Sequence, residues 1–223
     1  MKLFTFLSLF LTLIPPCFSH SLPQTFVLLA DIDPSIHQNI IFATDNNCFG
    51  TRLNGYEAQK AIVTLDLAKK LSVTQADLKK QNPNYSLLIL DAYRPVRAVE
   101  HIKKWAADLS DQETKQQCYP DIDKKDLPGK YIAAGSSSHS RGSTVDIIIL
   151  NTKTQIPLDF GPMYFGEAAG IGYSKLTKEQ KANRLMLRKI MLVHGFKPYD
   201  AEYWHFTLRN EPYPHTFFNF PIK

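Results

Sequence analysis

Apolar positions change period along the chain, and the period predicts the elements. Residues 3–14 form an almost unbroken apolar run, and residues 25–32 and 39–44 are short apolar stretches that predict strands. Between 57 and 81, Ala58, Ala61, Ile62, Leu65 and Ala68 recur at spacings of three and four. That predicts a helix, which Asn82-Pro83-Asn84 stops. The run 86–90 (Ser-Leu-Leu-Ile-Leu) predicts a buried strand ending at Asp91-Ala92-Tyr93-Arg94. Pro95 suits the first turn of a following helix, with Val96, Val99, Ile102 and Trp105 or Ala106 inward. Residues 110–135 are polar and contain Pro120, Pro128 and Gly129. A stretch that long is more often a lid or binding loop than a plain connector. Residues 144–150 predict an apolar strand with Asp146 embedded in it. Residues 178–194 predict a helix with Leu185, Ile190, Met191 and Val193 as its apolar positions, closed by Gly195. Residues 203–208 are the last strand. Several strands are close enough in sequence for antiparallel pairing. The fold expected is therefore α+β: a single domain with a small, mostly antiparallel sheet flanked by helices.

The N-terminal run sets where that fold begins. Lys2 supplies a positive start, and Pro15-Pro16 ends the apolar stretch. Cys17-Phe18-Ser19 places small residues for cleavage after Ser19. The run is shorter than the ~20 apolar residues of a membrane span. Residues 1–19 read as a signal peptide and residues 20–223 as the folded domain. The expectation is an exported protein, periplasmic or secreted, with no stable membrane association after cleavage. A hydrophobic fraction of 44% supports a proper core. The formal charge of +5 is spread along the chain without a basic block, which gives no argument for nucleic acid. Cys48 and Cys118 remain after cleavage. An oxidising compartment favours a Cys48–Cys118 disulfide over two unpaired thiols, and neither cysteine forms a CxxC pair.

Four residues carry candidate chemistry. Asp146 sits in Val145-Asp146-Ile147-Ile148-Ile149-Leu150, where an unpaired buried carboxylate is costly. A metal, a buried cation or backbone amides at the strand start would each resolve that cost. His139 precedes it, and Gly142 between them permits a turn closed to other residues. Glu202 and His205 lie in Glu202-Tyr203-Trp204-His205. A regular strand sends them to opposite faces, so a shared centre requires a turn at Glu202 or a bulge. Singly, each is an ordinary loop, surface or core residue. Together, His139, Asp146 and His205 are the ligand set of a catalytic zinc with an open position, one ion per chain, which leaves Glu202 as a base. The set predicts metal-assisted hydrolysis.

Ser137-x-His139-x(6)-Asp146 with Glu202-x-Trp204-His205 resembles the zinc signature of the D-alanyl-D-alanine dipeptidases, the family of the vancomycin-resistance D,D-dipeptidase. Asp91-Ala92-Tyr93-Arg94-Pro95 resembles that family's arginine motif. Arg209-Asn210-Glu211-Pro212-Tyr213-Pro214 and Phe218-Asn219-Phe220-Pro221 are similar to its usual ending. The resemblance runs from about residue 25 onward, with its motifs in the family's order. It implies that His139, Asp146 and His205 bind Zn2+, that Glu202 is general base and then proton donor, and that Arg94 stabilises the developing oxyanion. Ser137 and Tyr93 would hold the substrate, a small D-amino-acid peptide. Physical chemistry agrees with the catalytic roles, because a carboxylate beside activated water can relay its proton. A prepositioned guanidinium can likewise meet the oxyanion.

One departure bears on the substrate. After Leu158-Asp159-Phe160-Gly161 the family usually carries a Phe-Asp pair whose Asp holds the substrate ammonium. Here the run continues Pro162-Met163-Tyr164-Phe165-Gly166-Glu167. Asp159 and Glu167 are the candidate replacements. The leading expectation is hydrolysis of D-Ala-D-Ala or a related small cell-wall peptide. Two alternatives stand beside it: a D,D- or L,D-carboxypeptidase acting on longer stem peptides, and a catalytically silent, zinc-stabilised wall-binding protein. The sequence leaves oligomeric state open.

Overall fold

The computed structural model describes residues 22–223; the signal segment read at 1–19 lies outside the described residues. The first apolar stretch is only partly a strand. Phe26–Leu28 form β1, and the chain then turns into a short helix, α1 (Leu29–Ile32). The second stretch departs further from expectation: the strand is β2 (His37–Gln38), and Ile41–Ala43 close a 3-10 turn that sends Phe42 against Phe49 and Tyr56.

The helix expected across 57–81 starts later. Ile62–Thr64 form β3, and α2 spans Leu65–Gln81. Ile62, Val63 and Thr64 are β-branched, and they meet a partner in β1, with Phe26 opposite Thr64 and Leu28 opposite Ile62. That pairing overrides the helical spacing of Ala58, Ala61 and Ile62. Asn82 caps the C-terminus of α2, as its Asn-Pro sequence predicts.

The next elements follow the apolar pattern closely. They are β4 (Tyr85–Asp91) and α3 (Val96–Ala107), with Pro95 at the N-cap. The polar stretch after α3 holds a short helix, α4 (Lys115–Cys118), and folds back so that Cys118 is bonded to Cys48, Cα to Cα 5.4 Å. Then come β5 (Thr144–Asn151), β6 (Ile156–Pro157), α5 (Lys178–Val193), β7 (Phe196–Tyr199) and β8 (Glu202–Leu208). Thr177 and Gln180 form a capping box at the start of α5. Leu187, Ile190, Met191 and Arg184 are its buried positions, whereas Leu185 and Val193 face solvent. Strand β7 is absent from the sequence reading because Phe196-Lys197-Pro198-Tyr199 is short and contains proline, which suits only an edge.

The main sheet runs β2-β4-β5-β8-β7, antiparallel except for β2 against β4, with β6 paired to the end of β5. This is the expected α+β architecture. One continuous apolar core joins the sheet to α2, α3 and α5. No helix among the described residues is long and apolar enough to cross a membrane.

Candidate active site

Strand register builds the centre of the site. Asp91 on β4 lies opposite Asp146 on β5, and Asp146 lies opposite His205 on β8. Three polar residues thus form a row across strands whose central positions are mostly apolar. Two irregularities aim them. The β4–β5 pairing shifts between Ile89 and Asp91. The β7–β8 pairing shifts between Pro198 and Tyr199, so Tyr199 faces Glu202 while Pro198 faces Phe206. The second shift is a bulge on β8, and it brings Glu202 and His205 together: Glu202 Oε2 lies 3.6 Å from His205 Nδ1.

His139 arrives from outside the sheet, on a 3-10 turn over Ser138–Arg141. Ser137 caps the turn, its Oγ accepting from the His139 backbone N–H at 3.3 Å. Gly142 ends the turn at φ 80, and a Cβ there would overlap the Phe26 ring, so both backbone conformation and space require glycine. The turn places His139 Nε2 3.3 Å from His205 Nδ1 and 3.4 Å from Asp146 Oδ1. His205 Nδ1 and Asp146 Oδ1 are 3.2 Å apart. Three donors bonded to one tetrahedral zinc at about 2.0–2.1 Å would sit roughly 3.3–3.4 Å from one another. The triangle therefore fits a metal ion. The tautomer fits too: His139 Nδ1 donates to the Ala92 carbonyl at 2.8 Å, which leaves the Nε2 lone pair facing the centre.

Charges around the triangle are strongly coupled. Burial alone would raise the Asp146 carboxyl, but His139 and His205 outweigh it and hold it below the ordinary carboxylate range. Burial lowers His205, but its bond to Asp146 together with the Asp146 and Glu202 charges outweighs that, so His205 is raised. Glu202 is lifted to about 7, first by burial and then by the Asp146 charge, against the pull of His205. Burial likewise works against the Arg94 charge, but Asp91, Tyr56 and Asp146 together outweigh it and hold the guanidinium above its usual value. Arg94 Nε and Nη2 reach Asp91 Oδ2 at 2.9 and 2.7 Å, and Nη2 is 3.4 Å from Asp146 Oδ2. The Phe42 ring lies beneath it at 4.8 Å.

Asp91 had no role in the sequence reading. It is fully buried, accepts from Tyr56 Oη at 2.6 Å, and stands 3.4 Å from His139 Nδ1, so it braces both Arg94 and a triangle residue. A carboxylate closing a buried run three residues before an arginine was the available signal. Ser138, whose Oγ is 3.3 Å from His205 Nε2, was likewise unassigned.

These residues open onto a cavity of about 380 Å³, whose walls include Phe42, Phe49, Val99, Ile102, Tyr131 and Met163. Arg94, Ser137, His139, Asp146, Glu202 and His205 all line it. Tyr93 does not. It is buried, stacked on Phe220 at 4.2 Å, and its hydroxyl donates to the Phe220 carbonyl at 3.0 Å. Its place in the core follows from the strand leaving the sheet at Ala92, which turns Tyr93 and Arg94 to different sides. Among the described residues, Asp146 and Glu202 are the acidic groups lining the cavity. Asp159 instead accepts from Gln180 Nε2 at 3.0 Å and from the Gly161 N–H at 2.8 Å, and Glu167 is exposed away from the lining.

Comparison with known proteins gives the same direction. The family model described as D-ala-D-ala dipeptidase (peptidase M15) matches residues 23–223. A D-alanyl-D-alanine dipeptidase of Enterococcus faecium is 35% identical over 200 residues, 89% of this chain and 98% of that protein. One of Enterococcus faecalis is 35% identical over 205 residues, with the same coverage of each. One of Streptomyces coelicolor is 32% identical over 199 residues, 88% of this chain and 98% of that protein. With its site assembled from the end of β4, the 3-10 turn, β5 and β8, and with this likeness along nearly its whole described length, the chain is a hydrolase that belongs to the D-alanyl-D-alanine dipeptidase family.

Proposed function

We propose that this chain is an exported zinc D,D-dipeptidase that hydrolyses D-Ala-D-Ala or a closely related small cell-wall peptide. The observation that carries the reading is the triangle of His139 Nε2, Asp146 Oδ1 and His205 Nδ1 at 3.2–3.4 Å, with the Glu202 carboxylate beside it. Its ring nitrogens and carboxylate oxygen are the donors zinc prefers. When bound, zinc supplies a Lewis acid that polarises a carbonyl and makes water a stronger acid near neutral pH.

The chain's own residues supply the rest. Glu202 accepts the proton of the attacking water and passes it to the leaving amine. Arg94 presents a guanidinium to the oxygen that gains charge as the carbonyl carbon becomes tetrahedral. Its grip on Asp91 fixes the guanidinium before substrate arrives, so no reorganisation is required during reaction. Ser137 lies on the cavity wall, where it braces the His139 turn and faces the substrate. Export accords with the N-terminal run and with a Cys48–Cys118 bond, which an oxidising compartment preserves.

A second reading, carboxypeptidase action on longer stem peptides, has one observation in its favour. No acidic group lines the cavity apart from Asp146 and Glu202 among the described residues, so no free carboxylate awaits a substrate ammonium. The test is release of D-Ala by purified protein from D-Ala-D-Ala and from stem peptides, before and after chelation. Release from the dipeptide, lost with chelator and restored by zinc, is the expected result. Release from stems alone moves the assignment to the second reading. Bound zinc with no release from either would make the protein a binding module.

A further inference from the structure

Arg184 is the one fully buried charged side chain on α5, and its hydrogen-bond partners are all backbone carbonyls. Nε donates to Phe160 O at 2.7 Å, Nη1 to Gly170 O at 2.8 Å and Nη2 to Pro162 O at 3.2 Å. The guanidinium lies 3.9 Å from the Tyr203 ring centre, and Tyr203 stacks in turn on Phe160. A cation buried without a carboxylate partner is costly unless its hydrogen bonds are made, and here they are all spent on one segment. That segment, 160–170, carries Met163, Tyr164 and Phe165 into the cavity wall. Tyr203 sits between Glu202 and Trp204, two further lining residues. Arg184 thus joins the loop that forms one wall of the cavity to the strand that carries the base.

Around this clamp, α5 holds the start of the same segment. Gln180 Nε2 reaches both Asp159 carboxylate oxygens, and Asn183 Nδ2 donates to Asp159 O at 2.8 Å. On its far side the segment is pinned once by backbone, Phe165 N–H to Cys118 O at 2.8 Å.

We propose that Arg184 is a positioning residue that sets the distance between the Met163–Phe165 wall and the Glu202–His205 strand, and so fixes which peptide length the cavity accepts. The inference rests on the hydrolysis of D-Ala-terminated peptides proposed above. Arg184 touches no substrate. Without it, Phe160, Pro162 and Gly170 lose their donors and the wall is free to move outward, while the triangle and Glu202 keep their own supports.

The test compares wild type, Arg184→Met, Arg184→Lys and Asn183→Ala for KM and kcat on D-Ala-D-Ala and on a longer peptide ending in D-Ala-D-Ala. Zinc content and circular dichroism are measured on the same preparations. Arg184→Met is expected to raise KM for the dipeptide about tenfold, a change of about 1.4 kcal/mol, with kcat within about threefold. The ratio of dipeptide to longer-peptide activity should fall, and Arg184→Lys should recover part of the loss. Asn183→Ala, which leaves no buried group unpaired on α5, should shift KM about two- to threefold in the same direction. If Arg184→Met does not fold, Asn183→Ala still decides the point. Unchanged KM and unchanged peptide selectivity in a folded, zinc-loaded variant would overturn the inference. Inactivity of wild type on both peptides would instead overturn the hydrolysis it rests on.

Discussion

The two sides of the cavity are made differently. The catalytic side is a row on three paired strands, Asp91, Asp146 and His205, completed by one capped turn. The opposite side is loop: residues 129–133 and 163–165, held by scattered polar bonds, a disulfide and the Arg184 clamp. Strand register is all-or-none, because a slip by one residue turns every side chain to the other face. Loop walls shift by degrees when one tie is cut. The proposed chemistry therefore sits where the fold permits no intermediate setting, and the proposed fit to the substrate sits where small adjustments are cheap.

That contrast can be broken most severely on the strand side. Glu202→Ala should retain metal, since Glu202 is no part of the triangle, and lose about 10²–10⁴-fold in kcat, the usual contribution of a general base. Metal analysis together with turnover checks it, and full activity in that variant would remove Glu202 from the mechanism. Next comes Asp91→Asn, which keeps shape but removes the charge facing Arg94 and His139. A loss of about 10–100-fold in kcat/KM, with zinc affinity lowered within the same range, is expected of such a supporting residue. Activity within twofold of wild type would show that Arg94 is held by Phe42 and packing alone.

On the loop side the effect falls mainly on stability. Cys48→Ser with Cys118→Ser opens a closure 70 residues apart and should lower unfolding stability by about 2–4 kcal/mol. Thermal melting would register that as roughly 2–4 °C per kcal/mol for a domain of this size. Below the transition, kcat should be nearly unchanged. A large fall in kcat instead would mean that the disulfide loop reaches the reacting centre, and the contrast between the two sides would be wrong.

The strand side was legible, and so were two parts of the loop side, the binding loop within 110–135 and the Cys48–Cys118 bond, whereas the Arg184 clamp was not. Asp146 stood out because a carboxylate interrupted an apolar run, and Gly142 because a turn was required between it and His139. The three-residue spacing of Glu202 and His205 called for a turn or a bulge, and the strand takes the bulge. By contrast, the role of Arg184 leaves no mark in the sequence, because its partners are carbonyls of residues 160–170, which no side-chain pattern reveals. The Tyr56–Asp91 bond spans 35 residues and left no local trace either. The spacing puts Leu185 and Val193 inward, yet both face solvent and the buried face of α5 includes that arginine. Helix α2 starts late because β3 finds a partner in β1, a fact of tertiary pairing rather than of local propensity.

Phe26 has a consequence in time. Its ring fills the space behind Gly142 and packs on Tyr213, Phe218 and Phe220, nearly the whole chain away. A chain is made from its N-terminus, so this ring waits for its last partners until residues 213–220 have been made. The turn that presents His139 rests on that ring. A growing chain that already contains every residue of the site, up to His205, still lacks the aromatic backing at 213–220. Hydrolytic competence should thus wait for residues 213–220, and shortened products ending before residue 213 should be silent in a D-Ala release assay.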